Sequence, residues 1–242
     1  MTYKEIRKNW QHNFYWDSVL VDAYAMLISP FVTKLCLKLK LIPNVITLLM
    51  IASGIVGGLL FALPYTAAKI AGIVFIHLWY VFDCSDGEVA RITKRYSKFG
   101  TEIDYTAHVI DHPFILFGFG ASLLMSDLGS ISPLKVLLFV AAVAVLDLMF
   151  RAFATFGLIY DLKLPKPTEE NSADTPKKVG IKAKIIFFIN IFVHLPNLAL
   201  IFPIVFMFSP KLAFVYMLIC LAMMVLYVPL VGFAWLKRIV RI

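Results

Sequence analysis

Asp83, Asp86, Glu88 and Arg91 close one long apolar stretch of this chain, and Glu102, Asp104, His108, Asp111 and His112 open the next. Asp83 and Asp86 stand three apart, which puts them on one face of a helix. Asp104, His108 and Asp111 follow at steps of four and three, a second stripe of the same kind. The eight residues 92–99 turn the chain back, so the stripes face each other as an antiparallel pair. Carboxylates gathered in a dry cleft repel one another, and a divalent cation relieves that repulsion. Oxygen ligands suit Mg²⁺, Mn²⁺ or Ca²⁺. A cation there can neutralise phosphate and polarise a phosphoryl group for in-line attack. Gly87, Ala90 and Gly100 allow close backbone approach, and Arg91 is a permanently charged donor suited to phosphate.

The elements that carry these residues must be membrane helices. Of the 242 residues, 61% are hydrophobic and 16% charged, against roughly 45–50% and 25% in soluble domains. A soluble core of this size could not hide so much apolar surface. Six stretches satisfy the requirement of about 20 apolar residues per spanning helix: 44–63, 67–90, 102–126, 132–158, 183–208 and 212–236. The predicted fold is therefore all-α and integral to the membrane, one polytopic domain over 1–242. Residues 1–42 form an interfacial region, 43–242 a six-helix core, and 161–182 a cytoplasmic loop. Trp10, Tyr15, Trp16, Val19, Leu20 and Tyr24, mixed with charged residues, predict an N-terminal amphipathic helix in the interface. Lys34, Lys38 and Lys40 continue that character and suit anionic lipid.

On alternate sides of these spans the basic residues divide unequally. Twenty of the 23 Lys and Arg fall on the side of both termini, leaving Lys69, Lys135 and Lys211 opposite. This asymmetry predicts cytoplasmic N- and C-termini in a multi-pass cell-membrane protein, with the charged block on the cytoplasmic side. The net charge of +8 matches a membrane surface, and no nucleic-acid module is visible. Cys36, Cys84 and Cys220 form no CxxC pair, against a disulfide scaffold or zinc site. No signal-peptide pattern opens the chain. Buried carboxylates could also mark an ion path, but the glycine, alanine and arginine spacings have no role in a transporter.

Read from Asp83 to His108, the block resembles the signature of the CDP-alcohol phosphotransferase superfamily, D-x2-D-G-x2-A-R-x8-G-x3-D-x3-D. Asp83, Asp86, Gly87, Ala90, Arg91, Gly100 and Asp104 occupy seven of its eight fixed positions. The run Pro43-Asn44-Val45-Ile46-Thr47 also looks like the family's start of its first span. The resemblance implies that Asp83, Asp86 and Asp104 hold one or two Mg²⁺ or Mn²⁺ ions. It implies a substrate site drawing on Asn44, Thr47, Gly87, Ala90, Arg91 and Gly100, with room for cytidine at Gly87 and Ala90. A CDP-linked alcohol would be the donor, an acceptor hydroxyl would displace CMP, and the chain would work as a homodimer among membrane lipids.

His108 departs from the signature, where the family's fourth aspartate serves as general base. A neutral imidazole can itself act as base near neutral pH. Alternatively Asp111, one turn on, supplies the carboxylate or orients His108. Imidazole at a ligand position would also shift metal preference toward Mn²⁺ or Zn²⁺. Two donor classes remain open: CDP-diacylglycerol joined to a polar alcohol, or a soluble CDP-alcohol transferred to a lipid or lipid-linked glycan. A catalytically silent CDP-lipid-binding member is the third possibility. Elsewhere, Asp147 and Arg151 read as a local i,i+4 ion pair. His77 reads as a helix-interface residue, and His194 and Asn197 as partners for backbone groups freed at Pro196.

Overall fold

Helix after helix, the structure follows the apolar runs. It is a computed structural model describing residues 2–11, 22–163 and 181–240. Among the described residues there are nine helices: α1 (Tyr3–Asn9), α2 (Asp22–Lys38), α3 (Pro43–Ala62), α4 (Thr66–Thr93), α5 (Gly100–Leu124), α6 (Pro133–Lys163), α7 (Ile181–Val193), α8 (Leu195–Phe208) and α9 (Pro210–Val240). Five of them, α3, α4, α5, α6 and α9, are long and apolar enough to cross a bilayer.

Glycine sets the arrangement around α3. A Cβ added to Gly58 would overlap the Phe114 carbonyl, and one on Gly118 would overlap that of Gly58. On the other flank a Cβ on Gly57 would come within 2.8 Å of Ile76 and 3.1 Å of the Gly72 carbonyl. The helix therefore lies in direct backbone contact with both α4 and α5, as small-residue faces permit in membranes. That contact brings the two charged stripes together. Deeper in the bundle, Phe119 stacks on Phe202 at 4.3 Å, and Phe61 meets Phe119 edge-on at 5.6 Å. Lys69 closes this end, donating to the Phe61 carbonyl at 2.8 Å and lying over the Phe61 and Phe206 rings.

The signature straddles a sharp reversal. Lys94 caps α4 in the left-handed region, with φ of 54°, and α5 begins six residues later at Gly100. Along α2, Leu27, Phe31 and Leu35 form an exposed apolar stripe, while Ser29, Thr33 and Cys36 are buried. Tyr15, Trp16, Val19 and Leu20 lie outside the described residues, as do 164–180 of the predicted loop.

The predicted span over 183–208 is divided. His194 adopts extended backbone between α7 and α8, and Pro196 falls in the first turn of α8. The kink predicted at Pro196 is thus a full break, since a proline N-terminal to a helix cannot continue the preceding one. Asn197 Nδ2 donates to the Asn190 carbonyl at 3.2 Å across it, the compensation read from the sequence. His77 accepts or donates at 2.9 Å with the Tyr24 hydroxyl, a contact between α4 and α2.

Candidate active site

The reversal between α4 and α5 opens a polar cavity of about 460 Å³ against the start of α3. Asn44 and Thr47 enter from α3, Asp83, Asp86, Gly87, Ala90 and Arg91 from α4, and Gly100 and Asp104 from α5. Those are nine of the eleven site residues predicted from sequence. Arg95, Tyr96 and Ser97 complete the rim from the turn. Tyr96 and Ser97 carried no signal, because a turn's side chains have no periodicity to reveal what they face. A wider apolar groove of about 700 Å³ lies between α3 and α5 around Leu59, Leu63, Phe117 and Leu124. It holds no group able to do chemistry.

Each carboxylate is held differently. Asp86 Oδ2 accepts from the Thr47 hydroxyl at 2.6 Å, which ties α4 to α3 and orients the carboxylate. Asp83 Oδ1 lies 3.2 Å, and Asp104 Oδ1 3.7 Å, from His108 Nε2. Asp83, Asp104 and His108 each offer a ligand atom, all within 4.8 Å of one another. The three carboxylates Asp83, Asp86 and Asp104 on one cavity are an oxygen donor set that fits a small divalent cation. The repulsion among three carboxylates is the physical reason for one.

His108 and Asp111 are the two predicted residues that do not line the cavity. The His108 ring is buried beneath Asp83 and Asp104, forming a floor. Asp111 is fully buried one layer further in. Its Oδ2 accepts from the Trp79 indole at 2.7 Å, and its Oδ1 faces His108 Nδ1 at 3.6 Å. That separation is an electrostatic pairing rather than a hydrogen bond; neither of the two facing atoms makes a hydrogen bond, and Asp111 Oδ1 also lies 3.9 Å from His112 Nε2. Gly54 makes room here, since a Cβ on it would fall 2.8 Å from that of Asp111.

The pair read as Asp147–Arg151 has a third member. His112 lies between them, Nδ1 to Asp147 Oδ2 at 2.7 Å and to Arg151 Nε at 3.0 Å, and Nε2 to Arg151 Nη2 at 2.8 Å. Guanidinium can only donate, and it faces both ring nitrogens of His112. With both ring nitrogens engaged, His112 is a poor metal ligand. Its place in the network lay beyond sequence reasoning, because Asp147 stands 35 positions away.

Comparison with known families places residues 40–235 within the CDP-alcohol phosphatidyltransferase domain, most of the chain. The chain belongs to the CDP-alcohol phosphatidyltransferase family. Within it, phosphatidylinositol phosphate synthase of Corynebacterium glutamicum is 38% identical over 82 residues. That match covers 34% of this chain and 36% of the relative, so the chain matches about a third of that protein's length. In this member of the family, seven signature positions surround one cavity and the eighth is the histidine beneath it.

Proposed function

We propose that this protein transfers a phospho-alcohol group from a CDP-linked donor to an acceptor hydroxyl, releasing CMP, in phospholipid synthesis. The observation that carries this reading is the convergence of Asp83, Asp86 and Asp104 with Arg91 and Arg95 on one cavity of about 460 Å³. Carboxylates and guanidinium side by side suit a cation–diphosphate pair.

Asp83, Asp86 and Asp104 would hold one or two Mg²⁺ or Mn²⁺ ions, which would supply charge neutralisation and polarisation at the transferred phosphoryl group. Thr47 holds the Asp86 carboxylate in register. Arg91 and Arg95 bind phosphate oxygens, and Gly87, Ala90 and Gly100 leave the wall open for the cytidine. Asn44 offers an amide to donor or acceptor at the mouth. His108 takes the acceptor's proton on Nε2, while Asp111 behind it stabilises the imidazolium through Nδ1. Asp111 thus orients His108 and is itself too deep to reach an acceptor. The phosphoryl–oxygen bond to the acceptor forms as the bond to CMP breaks. Positioning and electrostatics supply most of the rate enhancement in such displacements.

The donor we favour is CDP-diacylglycerol, with an anionic polar alcohol as acceptor. The name of the Corynebacterium relative supports a lipid-phosphate product, and the arginine-rich rim suits a phosphorylated acceptor. Homodimers and a cytoplasmic-facing site complete the proposal.

The test is CMP release by purified protein in detergent, with a panel of CDP-linked donors, candidate acceptors and Mg²⁺ or Mn²⁺. Acceptor-dependent release from CDP-diacylglycerol is the expected result. Release only from soluble CDP-alcohols onto a lipid would reverse the assignment of donor and acceptor. No release from any donor, with CDP still bound, would make this a silent binding protein.

A further inference from the structure

Glu88 stands inside the signature, between Gly87 and Arg91, yet it does not line the cavity. Its side chain turns to the other face of α4, where it is 1% exposed. Three donors meet it there, all from the N-terminal region. Ser29 Oγ donates to Oε1 at 2.5 Å, Thr33 Oγ1 to Oε2 at 2.6 Å and Gln11 Nε2 to Oε1 at 2.9 Å. Gln11 also donates to the Met26 carbonyl at 2.7 Å. One turn along α4, Arg91 Nε donates to the Trp10 carbonyl at 2.5 Å. Trp10 and Gln11 are therefore fastened twice to the same turn of the catalytic helix.

A buried carboxylate is expensive unless its hydrogen bonds are met. A glutamate here makes sense if those bonds hold something in place. What they hold is the segment whose backbone orients the Arg91 guanidinium, and Arg91 borders the cavity. We infer that Glu88 is a positioning residue: through Gln11, Ser29 and Thr33 it seats the N-terminal segment on α4, so that the Trp10 carbonyl fixes Arg91 for the donor's diphosphate. The inference rests on the proposed function for its kinetic reading but concerns CDP binding directly. Arginine carries several rotatable bonds, and a fixed Nε leaves its terminal nitrogens aimed while lowering the entropy lost on binding.

The experiment measures equilibrium CDP binding, with Mn²⁺ present, for wild type, Glu88→Ala, Gln11→Ala and Glu88→Gln, followed by donor kinetics. Gln11→Ala removes one tie from a half-buried side chain and leaves the helix core alone, so it reports even if Glu88→Ala fails to fold. Expected is a loss of about tenfold in CDP affinity for Gln11→Ala and more for Glu88→Ala, the scale of a hydrogen bond to a charged group. Glu88→Gln keeps an acceptor oxygen for Ser29 and Gln11 and should restore most of it. Donor KM should rise in parallel while kcat changes little. Wild-type CDP affinity in folded Gln11→Ala and Glu88→Ala would overturn the inference. So would a fall in kcat at constant KM, which would mean a general disturbance of the site. If wild type bound CDP without ever releasing CMP, the proposed function would fail while the binding arm still decided the role of Glu88.

Discussion

At the scale of single residues, the proposed mechanism turns on His108. Its Nε2 meets Asp83 and Asp104, and its Nδ1 faces a carboxylate already engaged by an indole. Removing a general base costs about 10²–10⁴ in rate, so His108→Ala should lose that much of kcat. His108→Asp restores the signature's usual residue and should keep measurable turnover. Equal kcat in wild type and His108→Ala would remove the histidine from the mechanism. Trp79→Phe tests the layer beneath. It strands Asp111 Oδ2 in a dry site, a cost of about 1–3 kcal/mol, and lets the carboxylate swing from His108. A lower melting temperature with a several-fold fall in kcat is expected, and a change in melting temperature alone would make Trp79 structural only. The carboxylates, the glycines and Arg91 were legible in the sequence because each is set by spacing along one helix. Trp79 was not, since its partner Asp111 stands 32 positions away and an aromatic residue in an apolar run looks like core.

At the scale of elements, similar glycines serve two purposes, and the structure separates them. Gly58 faces backbone that cannot yield, whereas a Cβ on Gly100 would meet only the Ser97 Cβ, at an ordinary 3.6 Å. Gly58→Ala should therefore push α3 from α5 and destabilise the fold by about 1–3 kcal/mol, the cost of overpacking. Thermal unfolding in detergent reads this directly. Gly100→Ala should melt like wild type yet raise the donor KM, because Gly100 lines the cavity proposed for the donor. Unchanged KM in that variant would deny Gly100 a place in the substrate site. Sequence reasoning found the apolar runs and the Pro43 start of α3, where composition and the fixed φ of proline speak locally. It gave the break at His194 as a kink at Pro196, because how far a helix opens at proline depends on the neighbours that satisfy the freed groups.

For the molecule as a whole, topology turns on residues 181–208. Five helices cross by length and composition. If α7 and α8 did not together make a sixth crossing, the two chain ends would lie on opposite sides. Lys237, Arg238 and Arg241 would then sit away from the basic N-terminal region and the Arg91–Lys98 turn. That contradicts the positive-inside bias, in which short loops rich in Lys and Arg stay cytoplasmic. The two short helices have 13 and 14 residues, each about 20 Å long at 1.5 Å per residue and well short of the hydrocarbon thickness alone. Placed end to end they would suffice, with Asn197 donating to the Asn190 carbonyl across the break. Single cysteines at Ser97, Ser130 and Ser209, in a chain with Cys36, Cys84 and Cys220 replaced by alanine, test this in intact cells. A membrane-impermeant maleimide should label positions 130 and 209 from outside and position 97 only after permeabilisation. Labelling of 130 but not 209 would mean that residues 181–208 re-enter on the cytoplasmic side. The C-terminus would then lie outside, and the charge argument for this chain would be wrong.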